Sequence, residues 1–235
     1  MGLLYKEEVP VTKEISVVIP TVGAILDNED EYYGLVSAFT AMPIDMMVEL
    51  DDAGIDFTAI DEYDLFLYTL GTLRRRDVSL VLSGVDFGAL DIAQKNGSDE
   101  IVLLNQAGDI VFDRRTHFNT ANILRTIHHL ERDNRKPVDR ATRDYMIERA
   151  RRKRKLRRNH NQLSQLESLI VALVNTEQFS YTFETVRDMS IYQFNESVRQ
   201  IIKKIDYDNR MRGIYAGTVS LKDVSPDDLN WLTHK

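Results

Sequence analysis

Apolar residues recur along this chain at two periods, and each period predicts elements. Ile15, Val17, Val18 and Ile19 form a short run closed by Pro20, which predicts a strand. Residues 27–31 are consecutive Asp, Asn and Glu and predict an acidic turn. Tyr32 then stands sixth, where a calcium loop needs glycine, so calcium is not expected there. Pro43 is placed to open a helix through Met46, Met47 and Leu50 that Gly54 ends. Asp61, with Asp64 three positions on, predicts an N-cap and capping box. The helix behind it carries Leu65, Phe66, Leu70 and Leu73 and ends in Arg74, Arg75 and Arg76, where cations suit the negative helix end. Val78, Leu80, Val81 and Leu82 make another apolar run, ended by Gly84 and Gly88.

Residues 100–113 predict a hairpin, with Ile101–Leu104 as one arm and Ile110–Phe112 as the other around a Gly108 turn. A helix is expected from about Asn119, with Ile123, Leu124, Ile127 and Leu130 on one face. Residues 131–140 are polar, contain Pro137 and predict a linker; Asp139 is placed to cap the helix that follows. Leu163, Leu166, Leu169, Ile170 and Leu173 share a helical face. So do Phe194, Val198, Ile201, Ile202 and Ile205, behind a Ser190–Gln193 capping box. Gly213 and Gly217 predict stops, and Ser225, Pro226 and Asp228 a last short helix holding Leu229, Trp231 and Leu232. The fold class expected is α+β and predominantly helical. A small antiparallel hairpin belongs to an acidic domain over residues 1–133, and helices make up a basic domain over residues 134–235.

Charge sharpens that division. Residues 1–133 hold 24 acidic and 10 basic side chains, a net −14, whereas residues 134–235 hold 13 acidic and 20 basic, a net +7. Eight of the ten residues from 149 to 158 are cations: Arg149, Arg151, Arg152, Lys153, Arg154, Lys155, Arg157 and Arg158. The favoured reading is a helix facing the acidic half of the chain or of a neighbour. Phosphate contact with nucleic acid is the competing one. A bZIP basic region is excluded, because the heptad spacing of Leu156, Leu163 and Ile170 stops at Glu177.

The chemistry-bearing residues point away from catalysis. There is no cysteine, which removes thiolate metal sites, disulfides and a cysteine nucleophile. His128 and His129 are adjacent, so on a helix they diverge by about 100° and do not share a metal. Ser83 lacks the flanking glycines of a nucleophile elbow, and no glycine-rich phosphate loop occurs. Carboxylate pairs such as Asp51–Asp52 and Asp61–Glu62 are expected by number alone in so acidic a half. No run of about 18 apolar residues spans a bilayer, and the charged start predicts neither a signal peptide nor, with Lys6 in the Ser/Thr position, myristoylation. A non-enzyme without cofactor or metal is expected, with no membrane partner.

One stretch resembles a known arrangement. Phe183–Phe194 in FETVRDMSIYQF, the apolar helix after it, Ile214–Gly217 (IYAG) and Asp228–Trp231 (DLNW) resemble a recurring pattern in long-tailed bacteriophages of low-GC Gram-positive hosts. Phe183 departs from it, a tyrosine being usual there. The DEYDLFLYTLG segment, the hairpin and the basic run fit the same picture. The resemblance implies a tail-morphogenesis component, with tail assembly chaperone the nearest label. Such a protein binds the long, helical, apolar-faced tape measure polypeptide in the infected host's cytoplasm until tube subunits polymerise around it. The partner-contact candidates are Leu163, Leu166, Leu169, Leu173, Phe194, Val198, Ile201, Ile205 and Trp231. The length of 235 residues is large for a small all-helical chaperone. A structural protein of the tail or neck, retained in the virion, is therefore the first alternative, and a nucleic-acid-binding regulator using residues 149–158 the second. Self-association is a further expectation.

Overall fold

The computed structural model of the chain describes residues 2–95, 97–157 and 164–232. It is α+β and predominantly helical, with two small antiparallel sheets of three strands each. The Ile15–Ile19 run supplies β2 (Ser16–Val18), the centre of the first sheet between β1 (Glu8–Pro10) and β3 (Leu82–Ser83). Val9 pairs with Val17, and Val17 with Leu82, which places three apolar side chains side by side, all buried. Gly84 closes this sheet at φ +78°, and a Cβ there would stand 1.9 Å from the Glu14 carbonyl oxygen, so only glycine fits.

The expected acidic turn is present only at Asp27 and Asn28, and its remaining residues are the start of a helix. After the short α1 (Val22–Leu26), α2 runs over Glu29–Thr40 with Glu29, Asp30 and Glu31 in its first turn. Carboxylates at that end are favoured by the exposed amide N–H groups, so the composition of a polar turn is also that of a helix N-terminus. The helix expected from Pro43 begins only at Met47 (α3, Met47–Asp52). The capping box at Asp61 is present, and α4 covers Glu62–Leu73. The hairpin of β5 (Ile101–Leu104) and β6 (Val111–Phe112) is present too, and β4 (Asp91–Gln94) joins it as a third strand that the sequence pattern does not reveal. The helix expected from Asn119 starts earlier, as α5 (Arg114–His128), because Asp113 accepts the Thr116 N–H as N-cap.

Asp139 accepts the Thr142 N–H at 2.7 Å and so caps α6 (Arg140–Arg157) as expected. Then follow α7 (Gln165–Val174) and α8 (Ile191–Tyr215), the latter behind an intact Ser190–Gln193 box. Gly217, at φ +72°, lies just beyond α8, whereas Gly213 is inside the helix. It serves a different end from the one expected: the chain folds back over it, and a Cβ on Gly213 would lie 2.8 Å from Val219 Cγ2. A last 3-10 turn spans Pro226–Leu229.

The main core is built around Phe39 of α2, Phe66 of α4, Phe87 and Phe112, whose ring centroids lie 5.1–6.4 Å apart. The acidic and basic segments share this core. Leu166, Ile170, Leu173, Phe179, Val186, Met189, Ile191, Phe194 and Ile201 belong to it alongside the N-terminal residues. Backbone bonds fasten the join: Val22 N–H donates to the Met189 carbonyl, and Ile191 N–H to the Pro20 carbonyl at 2.9 Å. Helix α6 stands apart. Among its described side chains the buried one, Ile147, belongs to a separate small cluster with Met42, Ile44, Leu50, Phe57 and Leu65.

Candidate functional site

Helix α6 presents its cations in two rows. Arg143, Ile147, Arg151 and Arg154 recur at helical spacing and face α3. Arg143 pairs with Asp56 at 2.6 Å, Arg151 with both Asp51 and Asp52 at 2.6 Å, and Arg154 with Glu49 at 2.7 Å. The Asp51–Asp52 pair is thus a counter-charge for Arg151. These carboxylate neighbours push the Arg151 pKa up, through hydrogen bonds to Asp51 and Asp52 first, and the Arg143 pKa likewise through Asp144 and Asp56. The second row, Arg149, Arg152 and Lys153, follows i, i+3, i+4 spacing and is exposed, as is Lys155 beside it. Arg152 pairs with Glu148 one turn back. Among the described residues, no ion pair engages Arg149, Lys153 or Lys155. Arg157 ends α6, and Arg158 lies outside the described residues, as do Leu163, His160 and His234.

A buried charge cluster joins α2, α4 and α5. Arg125 Nη2 donates to the Thr40 carbonyl and to Glu62 Oε2, each at 2.8 Å, and sits 3.5 Å from the Met42 sulfur. Arg125 and Glu62 are 6% and 7% exposed, so removing either would leave an uncompensated buried charge. Arg132 pairs with the second Glu62 oxygen and lies over the Phe118 ring at 5.4 Å. His117 packs against Phe66 at 4.8 Å between ring centroids, and burial pushes its imidazole down to about 4. His128 shares a 2.9 Å hydrogen bond with the buried Tyr32 hydroxyl and is likewise pushed down to about 4 by burial. His129 takes the left-handed cap position of α5 at φ 51°. Sequence reasoning missed these contacts, because Arg125 and Thr40 stand 85 positions apart and Tyr32 and His128 96, and each reads alone as an ordinary polar residue.

A groove of about 650 Å³ runs between α2 and α4, lined by Gly34, Ser37, Ala38, Thr69, Thr72 and Leu73 among others. The guanidiniums bordering it are committed to carboxylates, Arg76 to Glu31 at 2.6 Å and Arg125 to Glu62. The described residues contain no group of three or more His, Asp or Glu suited to a metal ion. No helix among them is long and apolar enough to cross a membrane.

The expected partner-contact residues divide. Leu166, Leu173, Phe194 and Ile201 are buried in the core, where the chain itself covers them. Leu169 and Ile205 are exposed, at 43% and 38%. Val198 is half-buried at the edge of the core. Trp231 is half-buried against α8: Gln200 Nε2 donates to its carbonyl at 2.8 Å, and Lys204 Nζ sits 5.5 Å from the ring centroid. Sequence reading did not single out Val171 on α7 and Tyr215 at the end of α8, both exposed; Ile202, read there as part of the α8 face, is 54% exposed. Among the described residues beyond Ile201, no side chain is buried, although that stretch holds Ile202, Ile205, Tyr207, Met211, Ile214 and Tyr215.

That stretch lies within the region that carries a likeness to known proteins. Residues 157–235, about a third of the chain, match the family model described as the YomV second domain, a phage-type protein domain. No curated protein and no solved structure matches the chain. The C-terminal third of this protein is therefore similar to a phage-related domain, and it is this third that leaves an apolar helical surface uncovered.

Proposed function

We propose that the protein is a non-enzymatic phage tail assembly chaperone that holds the tape measure polypeptide through the distal half of α8 and the segment folded back on it. The observation that carries this reading is the uncovered apolar side beyond Ile201. Ile202, Ile205 and Tyr215 are exposed along a helix whose root, Ile191, Phe194 and Ile201, is held in the core. A rigid root with a free apolar end suits an amphipathic partner helix, whose own apolar face would otherwise aggregate. Leu169 and Val171 on α7 add further exposed apolar surface within the matched region. The similarity to a phage-type domain supports the setting, and tape measure chains are the long helical clients such a setting offers.

The test is co-expression of the tagged chain with the tape measure polypeptide of the same phage. Wild-type protein captures it, and the double variant Ile202→Asp/Ile205→Asp does not, while keeping its thermal midpoint. If the variant captures as well as wild type, the surface is wrong. Mass spectrometry of purified particles decides between a chaperone and a structural protein: a chaperone is missing from finished tails, and recovery of the chain there assigns it to the virion.

A further inference from the structure

The two rows of cations on α6 imply a second interaction surface. A helix of 18 residues with so many like charges repels itself, by roughly a few tenths of a kcal/mol per i, i+4 pair. The inward row explains its own charges, since Arg143, Arg151 and Arg154 meet Asp56, Asp51, Asp52 and Glu49. The outward charges have no such explanation. Arg149, Lys153 and Lys155 are exposed and have no ion pair among the described residues, and Arg152 shares only Glu148. Tyr145, 63% exposed, sits one turn before Arg149 on the same side of the helix. Exposed cations at one-turn spacing beside an aromatic ring match the spacing and chemistry of a phosphate backbone, which rewards clustered Lys and Arg by releasing counterions.

We propose that the exposed cations of α6, the row Arg149, Arg152 and Lys153 with Lys155 at its flank, bind the phosphate backbone of nucleic acid, and that the acidic row Glu49, Asp51, Asp52 and Asp56 limits the grip by neutralising the opposite side of the same helix. The net charge of −7 does not prevent this. The repulsion of the acidic half is screened within about 8 Å at physiological ionic strength, so contact is decided by the local row. The surface lies on a different helix from the apolar end of α8 and stands or falls separately from the chaperone reading.

The probe is a short random-sequence duplex DNA, titrated into the full chain between about 50 and 200 mM salt. One phosphate contact from each of the three cations without an ion pair among the described residues, Arg149, Lys153 and Lys155, gives a log–log slope near −2.7, a loss of ~40-fold over that range. The triple variant Arg149→Gln/Lys153→Gln/Lys155→Gln abolishes retention with an unchanged thermal midpoint. Asp51→Asn/Asp52→Asn, which frees Arg151, raises affinity several-fold and steepens the slope. Absence of retention at about 50 mM salt overturns the proposal, as does wild-type binding by the triple variant. Equal competition by polyglutamate at matched charge overturns it too, since the surface would then fit an acidic protein.

Discussion

Helices α6 and α8 are the two longest among the described residues, and they are held by opposite means. The first half of α8 is anchored by burial: Ile191 and Phe194 are inaccessible to solvent and Ile201 nearly so. Among the described residues, helix α6 fully buries Ile147 alone, packs Met146 at the edge of the same small cluster, and otherwise leans on ion pairs whose side chains remain a quarter to a half exposed. Apolar burial scales with area and is not screened by salt, whereas exposed ion pairs are weak and screened. One helix is therefore part of the fold, and the other rests on it. The difference teaches where function can sit: an anchored helix can offer a rigid free end, and a lightly held one can exchange partners.

The comparison breaks most severely at the root of α8. Phe194→Ala should cost about 3–5 kcal/mol, as truncation of a fully buried aromatic does, and should unfold the whole domain in a urea titration. A loss confined to the C-terminal third would mean that the core is not shared between the two segments.

Acid comes next. His117 and His128 are held neutral in the fold, at about 4 against an ordinary 6.5. Burial thus lowers the folded pKa of a base, so nothing is lost above about 6.5, and stability falls as pH drops from there toward 4. Each histidine contributes up to about 3 kcal/mol of that loss. His117→Phe should flatten the dependence of thermal midpoint on pH over this window, and an unchanged slope would show that His117 does not titrate in it.

Ser190→Ala, which removes the cap at the start of α8, should cost about 1 kcal/mol. Neutralising the inward row sits lower still. Arg151→Gln should leave the thermal midpoint nearly unchanged, yet speed amide exchange across α6 at low salt, a difference that vanishes in concentrated salt. Equal exchange at low salt would mean that the apolar contacts of Ile147 and Met146 alone hold the helix.

Local chemistry was legible in the sequence, and long-range pairing was not. The caps at Asp61, Asp139 and Ser190 are written within four residues each, and all three are present. The charge asymmetry foretold that the basic helix meets acidic residues, but not that Asp51, Asp52 and Asp56 would be the ones. Strands β1 and β4 escaped notice because short, mixed-polarity segments owe their pairing to partners elsewhere. The acidic opening of α2 read as a turn because the same residue types favour both. Of the apolar faces expected to meet a partner, half the residues proved to be core, since amphipathic periodicity marks a face without saying what covers it.

The central claim, that the distal part of α8 grips another chain, is tested most directly by hydrogen exchange on the protein alone and in complex with the tape measure polypeptide. The account predicts slowed exchange over residues 202–215 in the complex, with the α2–α4 groove unchanged. Protection that appears in that groove and leaves residues 202–215 untouched would contradict it.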